Sequence, residues 1–215
     1  MALLDYDVTI AYDTLVSTFT VGGVCSGVSS LATGTILFDE DNVLYLSMTS
    51  DRLIYYDEVE NDEWGESITD GTATANALSA LGLISMVRQR DLEKYYPQLP
   101  TWISDSKADI SEIIDKAFET LKNHINRKGM DHRSIRMKDS ASPRFKDLHE
   151  NIALSMFFDS EINEPGDRWE AKRDYRDRII QSMLLEMTFS VDEDGSKIIS
   201  GDEYDQSIGT VRAYR

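Results

Sequence analysis

From 106 to 129 the chain reads SKADISEIIDKAFETLKNHINRKG, and this stretch sets the expectation for the fold. Ile110, Ile113, Ile114, Ala117, Phe118, Leu121 and Ile125 recur at steps of three and four, one face of a 3.6-residue period. Asp109 or Ser111 can cap its start, and Gly129 follows the basic Arg127-Lys128 end as a helix stop. Two further stretches behave alike. SPRFKDLHENIALSMFFDSEIN (142–163) has Pro143 near its first turn and Phe145, Leu148, Ile152, Met156 and Phe157 on one side. DRWEAKRDYRDRIIQSMLLEM (167–187) lines up Trp169, Tyr175, Ile179, Met183 and Leu184. Three apolar stripes cannot all face water. The expected core is therefore a small helical bundle over 105–187, built on Ile110, Ile114, Phe118, Leu121, Leu148, Ile152, Met156, Trp169, Tyr175, Ile179 and Met183.

Around that core the sequence predicts attachments. Residues 1–71 form an acidic, β-rich region. DVTIAY alternates Val8, Ile10 and Tyr12, and TILFDEDNVLYLS reads as a hairpin about Asp39-Glu40-Asp41-Asn42. The Gly/Ser-rich VGGVCSGVSSLATG between them reads as loop or weak strand, DRLIYYDEV as a short strand, and ENDEWGESITDG as an acidic loop. Residues 72–104 read as a helix followed by a connector that Pro97 and Pro100 hold extended. Residues 188–215 read as a hairpin, Thr188–Val191 with Lys197–Ser200, and a tail. The fold class expected is α+β and mainly α: a small helical bundle with an N-terminal β-rich region, a C-terminal β-hairpin and an extended tail.

Composition narrows the function classes. The 215 residues are 41% hydrophobic, enough for a core, and hold one cysteine, Cys25, which excludes an internal disulfide framework and suits a reducing compartment. No apolar run reaches the roughly 20 residues that span a bilayer, and MALLDYDVT lacks the basic start of a signal peptide, so a membrane-free product made in the cytoplasm is expected. The net charge of −17 is uneven. Residues 1–75 carry 14 acids against Arg52 alone, a balance of −13, and the remainder sums to −4. Nucleic-acid binding through a basic face is disfavoured. Solubility, a basic protein partner, or a surface that repels DNA remain.

Candidate chemistry is thin. Counted from Asp192, oxygen donors fall at positions 1, 3, 5, 9 and 12 (Glu203) of a calcium-type loop, but position 6 is Lys197 where glycine is needed, so a hairpin turn is favoured over a cation site. His124, His132 and His149 have no zinc spacing. Cys25 has no nearby histidine, the Ser29-Ser30 pair has no nucleophile-elbow context, and the glycines at 22, 23, 27 and 34 match no phosphate loop. The acids of 57–66 read as a solvated loop. No enzyme, metal or cofactor is expected. Arg127, Lys128, Arg133, Arg136, Lys138, Arg144 and Lys146 read as a solvated rim or as a patch facing another copy's acidic surface.

Residues 105–203 resemble the head-to-tail connector (adaptor, head-completion) proteins of tailed bacteriophages. The features that carry this are IIDKAFETL in the first helix, a basic linker, FKDLHENIALSMFF, the spaced aromatics of RWEAKRDYRDRIIQSMLLEM and the VDEDG turn. The resemblance implies a virion neck protein, a ring of typically twelve copies that binds beneath the portal, meets a tail or stopper protein, and extends a channel through which DNA passes without specific binding. It also implies a C-terminal segment docking on the portal, here Ser207–Arg215, with Val211, Arg212, Tyr214 and Arg215 as contacts. The acidic first third suggests a rival reading, a DNA mimic that inhibits a nuclease or DNA-binding protein.

Overall fold

The computed structural model describes residues 6–50, 52, 66–106, 109–192, 195–196 and 206–207. Six strands are β1 (Val8–Val16), β2 (Val24–Gly27), β3 (Thr33–Glu40), β4 (Val43–Met48), β5 (Ser67–Thr69) and β6 (Thr74–Leu81). All pair antiparallel in the order β1-β4-β3-β2-β5-β6, and β6 returns to β1, closing a barrel. This overturns the expected mainly helical bundle with β-rich attachments: the first third is a closed six-stranded barrel. Closure abolishes sheet edges, so the barrel does not need the neighbouring chain that an isolated hairpin arm would need.

The barrel interior is narrow, and the chain fills it with small and branched side chains. Val8, Ile10, Cys25, Ile36, Leu44, Leu46, Ile68, Ala75 and Ala77 are all buried there. The β3–β4 hairpin turns through Asp41 (φ 52°) and Asn42 (φ 60°), the left-handed pair of a two-residue turn, as the DEDN signal predicts. The expected helix from residue 72 is instead β6. Its Ala75, Ala77 and Leu81 alternate inward, and alanine is there for size. The weak strand of the Gly/Ser segment is β2, and part of the expected acidic loop, Ser67–Thr69, is β5. DRLIYYDEV, apart from Arg52, lies outside the described residues.

The chain divides into two compact units, one of Met1–Ile84, Met130–Ala141 and Phe189–Gln206, the other of Ser85–Gly129, Ser142–Thr188 and Ser207–Arg215. In the first, residues 130–141 and 189–192 extend the barrel. Gly82 N–H donates to the Ile135 carbonyl at 2.7 Å, Arg136 N–H to Ser190 at 2.9 Å, and Asp192 N–H to Ser134 at 2.8 Å. A 3-10 turn, Met137–Ala141, follows, and its Ser140 Oγ accepts from the Ile84 amide at 3.0 Å. The expected C-terminal hairpin differs: Thr188–Phe189 (β7) pairs with Gln206–Ser207 (β8), Val191 bridges Ile135, and Lys197–Ser200 lie outside the described residues.

In the second unit, α1 (Gln89–Glu93) and α2 (Leu99–Asp105) precede the three long helices α3 (Ile110–Arg127), α4 (Pro143–Glu161) and α5 (Arg168–Glu186). Pro100 sits in the first turn of α2, so the expected extended connector is helical there. Caps are supplied by Asp109, Ser142 and Asp167, whose side chains accept the first free amides. α4 packs on α3 and on α5, and is buried on nearly all sides. Of the expected helical core, Ile110, Ile114, Leu121, Leu148, Ile152 and Trp169 are buried, and Phe118, Met156, Ile179 and Met183 are half-buried. Tyr175 is the correction: it is 53% exposed, and Arg176 takes the buried position.

Candidate functional site

The most concentrated polar chemistry among the described residues lies inside the second unit. α4 presents Asp147, Glu150 and Asn151, spaced three and four residues apart, on one face. Lys94 and Tyr95 follow the end of α1, and α5 contributes Arg176. Lys94 Nζ lies 2.6 Å from Glu150 Oε2 and 3.2 Å from Asp147 Oδ1. The Tyr95 hydroxyl is within reach of the same two carboxylates, at 3.0 and 3.2 Å. Arg176 Nη1 donates to Asn151 Oδ1 at 2.7 Å, and Asn151 Nδ2 donates to the Asp147 carbonyl at 2.7 Å. The guanidinium lies 4.5 Å from the Tyr95 ring centre and 5.1 Å from that of Tyr96. Glu150 is wholly buried and Arg176 nearly so, while Glu150 Oε1 and Arg176 Nε make no hydrogen bond.

Electrostatics define what this cluster can do. Burial pushes the Glu150 carboxyl up, outweighing the hydrogen bonds from Lys94 and Tyr95. Burial, then Glu150, pushes the Tyr95 phenol up to about 12. Burial pulls the Lys94 ammonium down, but the bonds to Glu150 and Asp147 win and hold it above the ordinary lysine range. Neither Lys94 nor Tyr95 exchanges a proton near neutrality, which is what a general acid or base does. The cluster ties α1, α4 and α5 together through directed bonds. A shallow groove of about 450 Å³ farther along α4 and α5, lined by Ser155, Met156, Asp159, Ser160, Arg173 and Asp177, includes none of these residues. Its Arg173 is already bound to Asp159 at 3.0 Å and Asp174 at 2.8 Å.

In the barrel unit, carboxylates hold backbone. Asp70 accepts from the amides of Thr20, Thr72 and Ala73 at 2.7–2.9 Å. Burial raises the carboxyl, and these donors, with the Thr72 hydroxyl, together outweigh it and bring it well below the usual range. Glu66 Oε2 accepts from Ser29 and Ser30 N–H, both at 2.8 Å, and Asp7 Oδ2 from Met48 N–H at 3.0 Å. Asp39 accepts from the Tyr12 hydroxyl at 2.7 Å.

Val211, Arg212, Tyr214 and Arg215 lie outside the described residues, as do 193–194 and 197–203 of the calcium-type loop; Asp192 is buried. Among the described residues no group of three or more His, Cys, Asp or Glu is placed to hold a metal ion. Cys25 is buried in the barrel, and burial, then Asp70 and Glu66, pushes its thiol up to about 12, far from a nucleophilic thiolate. His124 is half-buried near the end of α3, lowered by burial and then by Lys128 and Arg127. His132 lies 3.7 Å from Asp131, and His149 is fully buried. The basic residues do not form one run: Arg133, Arg136 and Lys138 belong to the barrel unit, and Arg127, Lys128, Arg144 and Lys146 to the helical unit. Arg136 pairs with Asp139, and Lys146 with Asp91, each at 3.0 Å. Glu150 and Arg176 were not apparent from periodicity alone. The signal was the seven-residue step from Trp169, which lands on Arg176 and not on Tyr175. No family model, curated protein or solved structure matches the chain.

Proposed function

We propose that this chain is a structural adaptor of a tailed-phage head-to-tail connector. Copies form a ring beneath the portal, typically of twelve, that extends the DNA channel and joins head to tail in the virion neck. The residue patterns of α3, α4 and α5 motivate the reading, and one structural observation supports it best. α5 is 19 residues long yet buries only Trp169 and Arg176, and leaves Tyr175 and Leu185 exposed. A long helix held along one narrow strip, with Tyr175 and Leu185 exposed among the charged and polar residues of its outer side, suits a subunit whose surface is completed by neighbours. Arg176 bonded to Asn151, with Asp177 bonded to Ser155 and Arg173 to Asp159, fastens that helix to α4 at three points along its length.

On this reading the acidic barrel repels phosphates, so DNA slides past without specific binding, and Val211, Arg212, Tyr214 and Arg215 dock on the portal. The DNA-mimic alternative needs carboxylates free along a surface. Among the described residues Asp7, Asp39, Glu66 and Asp70 are engaged with backbone amides or hydroxyls, which counts against it, and Glu40 and Asp41 stay exposed in a single turn and draw no long line of carboxylates. Electron microscopy of the purified chain with its portal tests the proposal. Ring density below the portal is the expected result; a monomer that ignores the portal contradicts it, and capture of a DNA-processing enzyme in its place favours mimicry.

A further inference from the structure

Two exposed surfaces on different units carry opposite charge and share apolar character. The first is on α5. Arg168, Ala171, Tyr175, Arg178, Ser182 and Leu185 follow one another at alternating steps of three and four, and all six are exposed. On a helix this spacing draws a single line along the surface, the geometry of a contact seam. The line holds two cations and no carboxylate. Asp174 beside it is held by Arg173 at 2.8 Å, and Glu186 lies at its far end.

The second surface is one end of the barrel. In an antiparallel barrel the end of β1, the start of β2 and the β3–β4 turn lie together. The loop between β1 and β2 is stitched to β3 there by Gly22 N–H to the Ile36 carbonyl at 2.8 Å. Leu15, Val16, Val21 and Val24 are exposed on this end, Val16 by 66%. Glu40 and Asp41 are exposed in the adjoining turn. The first basic residue of the chain is Arg52, so β1 to β4 supply no cation to offset them. Four exposed aliphatic side chains at one acidic rim are an apolar patch of the kind that marks an interface.

We infer that the α5 seam of one copy docks on this acidic, aliphatic rim of the next copy's barrel. The inference rests on the ring-forming reading above and names its repeating contact. Arg168 and Arg178 meet Glu40 and Asp41, while Tyr175 and Leu185 cover the valines. The occupant is a second copy because each surface lacks what the other provides. Pairing either with itself would oppose like charges, which disfavours a two-fold contact and favours a head-to-tail one. A head-to-tail contact whose rotation closes makes a ring.

Sedimentation velocity of the full chain tests this, with circular dichroism to verify folding of each variant. Wild type is expected to associate, less so at high salt. Arg178→Glu on the seam and Val16→Asp on the rim should each weaken association about tenfold or more. Mixed one to one, they should form heterodimers and nothing larger, because each pair keeps one intact seam and one intact rim. If both variants are folded and assemble as wild type does, this interface is wrong while the ring reading stands. Wild type that remains monomeric, with and without the portal, overturns both.

Discussion

Arg176 of α5 donates from Nη1 to Oδ1 of Asn151 on α4 at 2.7 Å, with its guanidinium against the rings of Tyr95, at 4.5 Å, and Tyr96, at 5.1 Å. A buried cation held this way joins two helices at a defined rotation, because the donor and acceptor fit in one register only.

Replacing Arg176 with alanine removes the side chain that packs against the two tyrosines and leaves Asn151 Oδ1 buried without that donor. The unsatisfied buried acceptor is expected to cost about 1–3 kcal/mol, and the lost packing of the stem adds to it. Arg176→Met keeps most of the volume and should cost clearly less. Denaturant unfolding measures both. Equal stability of the alanine variant and wild type would show that the cluster does not hold α4 to α5.

Gly82 makes a sharper demand. Its φ is +115°, and a Cβ there would overlap the carbonyl oxygen of Asp7. Its own N–H bonds the Ile135 carbonyl, so the backbone cannot retreat without losing the bridge that Ile135 and Arg136 make to the end of β6. Gly82→Ala should cost about 2–4 kcal/mol, against about 1 kcal/mol or less at Gly71, where φ is +89° and nothing lies near the added carbon. The thermal midpoints of the two variants, compared side by side, decide whether close approach or φ alone sets the cost.

These two sites show where sequence was readable. α3 was legible because cap and period agree, Asp109 preceding an apolar repeat; α4 and α5 were legible as helices from Pro143 and from apolar spacing, and the structure adds Ser142 and Asp167 as their caps. The β3–β4 hairpin was legible because Asp41 and Asn42 tolerate positive φ. β6 was not, since Ala75, Ala77 and Ala80 favour helix in isolation, and only the narrow barrel explains why small residues are needed. The closed barrel was illegible for a related reason. β2 and β5 are four and three residues long, too short for alternation to show, and their pairing joins positions about 40 residues apart. The Glu150–Arg176 cluster was hidden by a one-residue error of phase on α5, which placed Tyr175 inside and Arg176 outside.

Asp70 ties the β1–β2 loop to the β5–β6 turn through Thr20, Thr72 and Ala73. Asp70→Ala should release that loop without unfolding the barrel. Faster hydrogen exchange at the Thr20, Thr72 and Ala73 amides, with β3 and β4 unchanged, is the expected pattern. Asp70→Asn retains an acceptor oxygen and should restore part of the protection. Unchanged exchange in the alanine variant would assign the loop's order to Phe19, which packs on Tyr12 at 5.4 Å.

His149 supplies a pH dependence with a definite sign. Its Nε2 lies 3.0 Å from the Ile114 carbonyl, which can only accept, so Nε2 carries the hydrogen and Nδ1 is a bare acceptor, buried and without a hydrogen bond. Burial lowers the imidazole, and neither the Ile114 bond nor Asp115 offsets it. The folded chain therefore binds this proton less readily than the unfolded chain. The contribution is fully present above the ordinary imidazole range and is lost as pH falls through it toward the folded value. The slope is at most about 1.4 kcal/mol per pH unit. Glu150 acts with the opposite sign, because its raised carboxyl favours the folded state more as pH falls toward the ordinary carboxylate range. The difference between wild type and His149→Gln, measured by urea unfolding from neutral to mildly acidic pH, isolates the imidazole. Wild type should lose stability faster than the glutamine variant on acidification; parallel curves would mean that His149 is not held neutral by its surroundings.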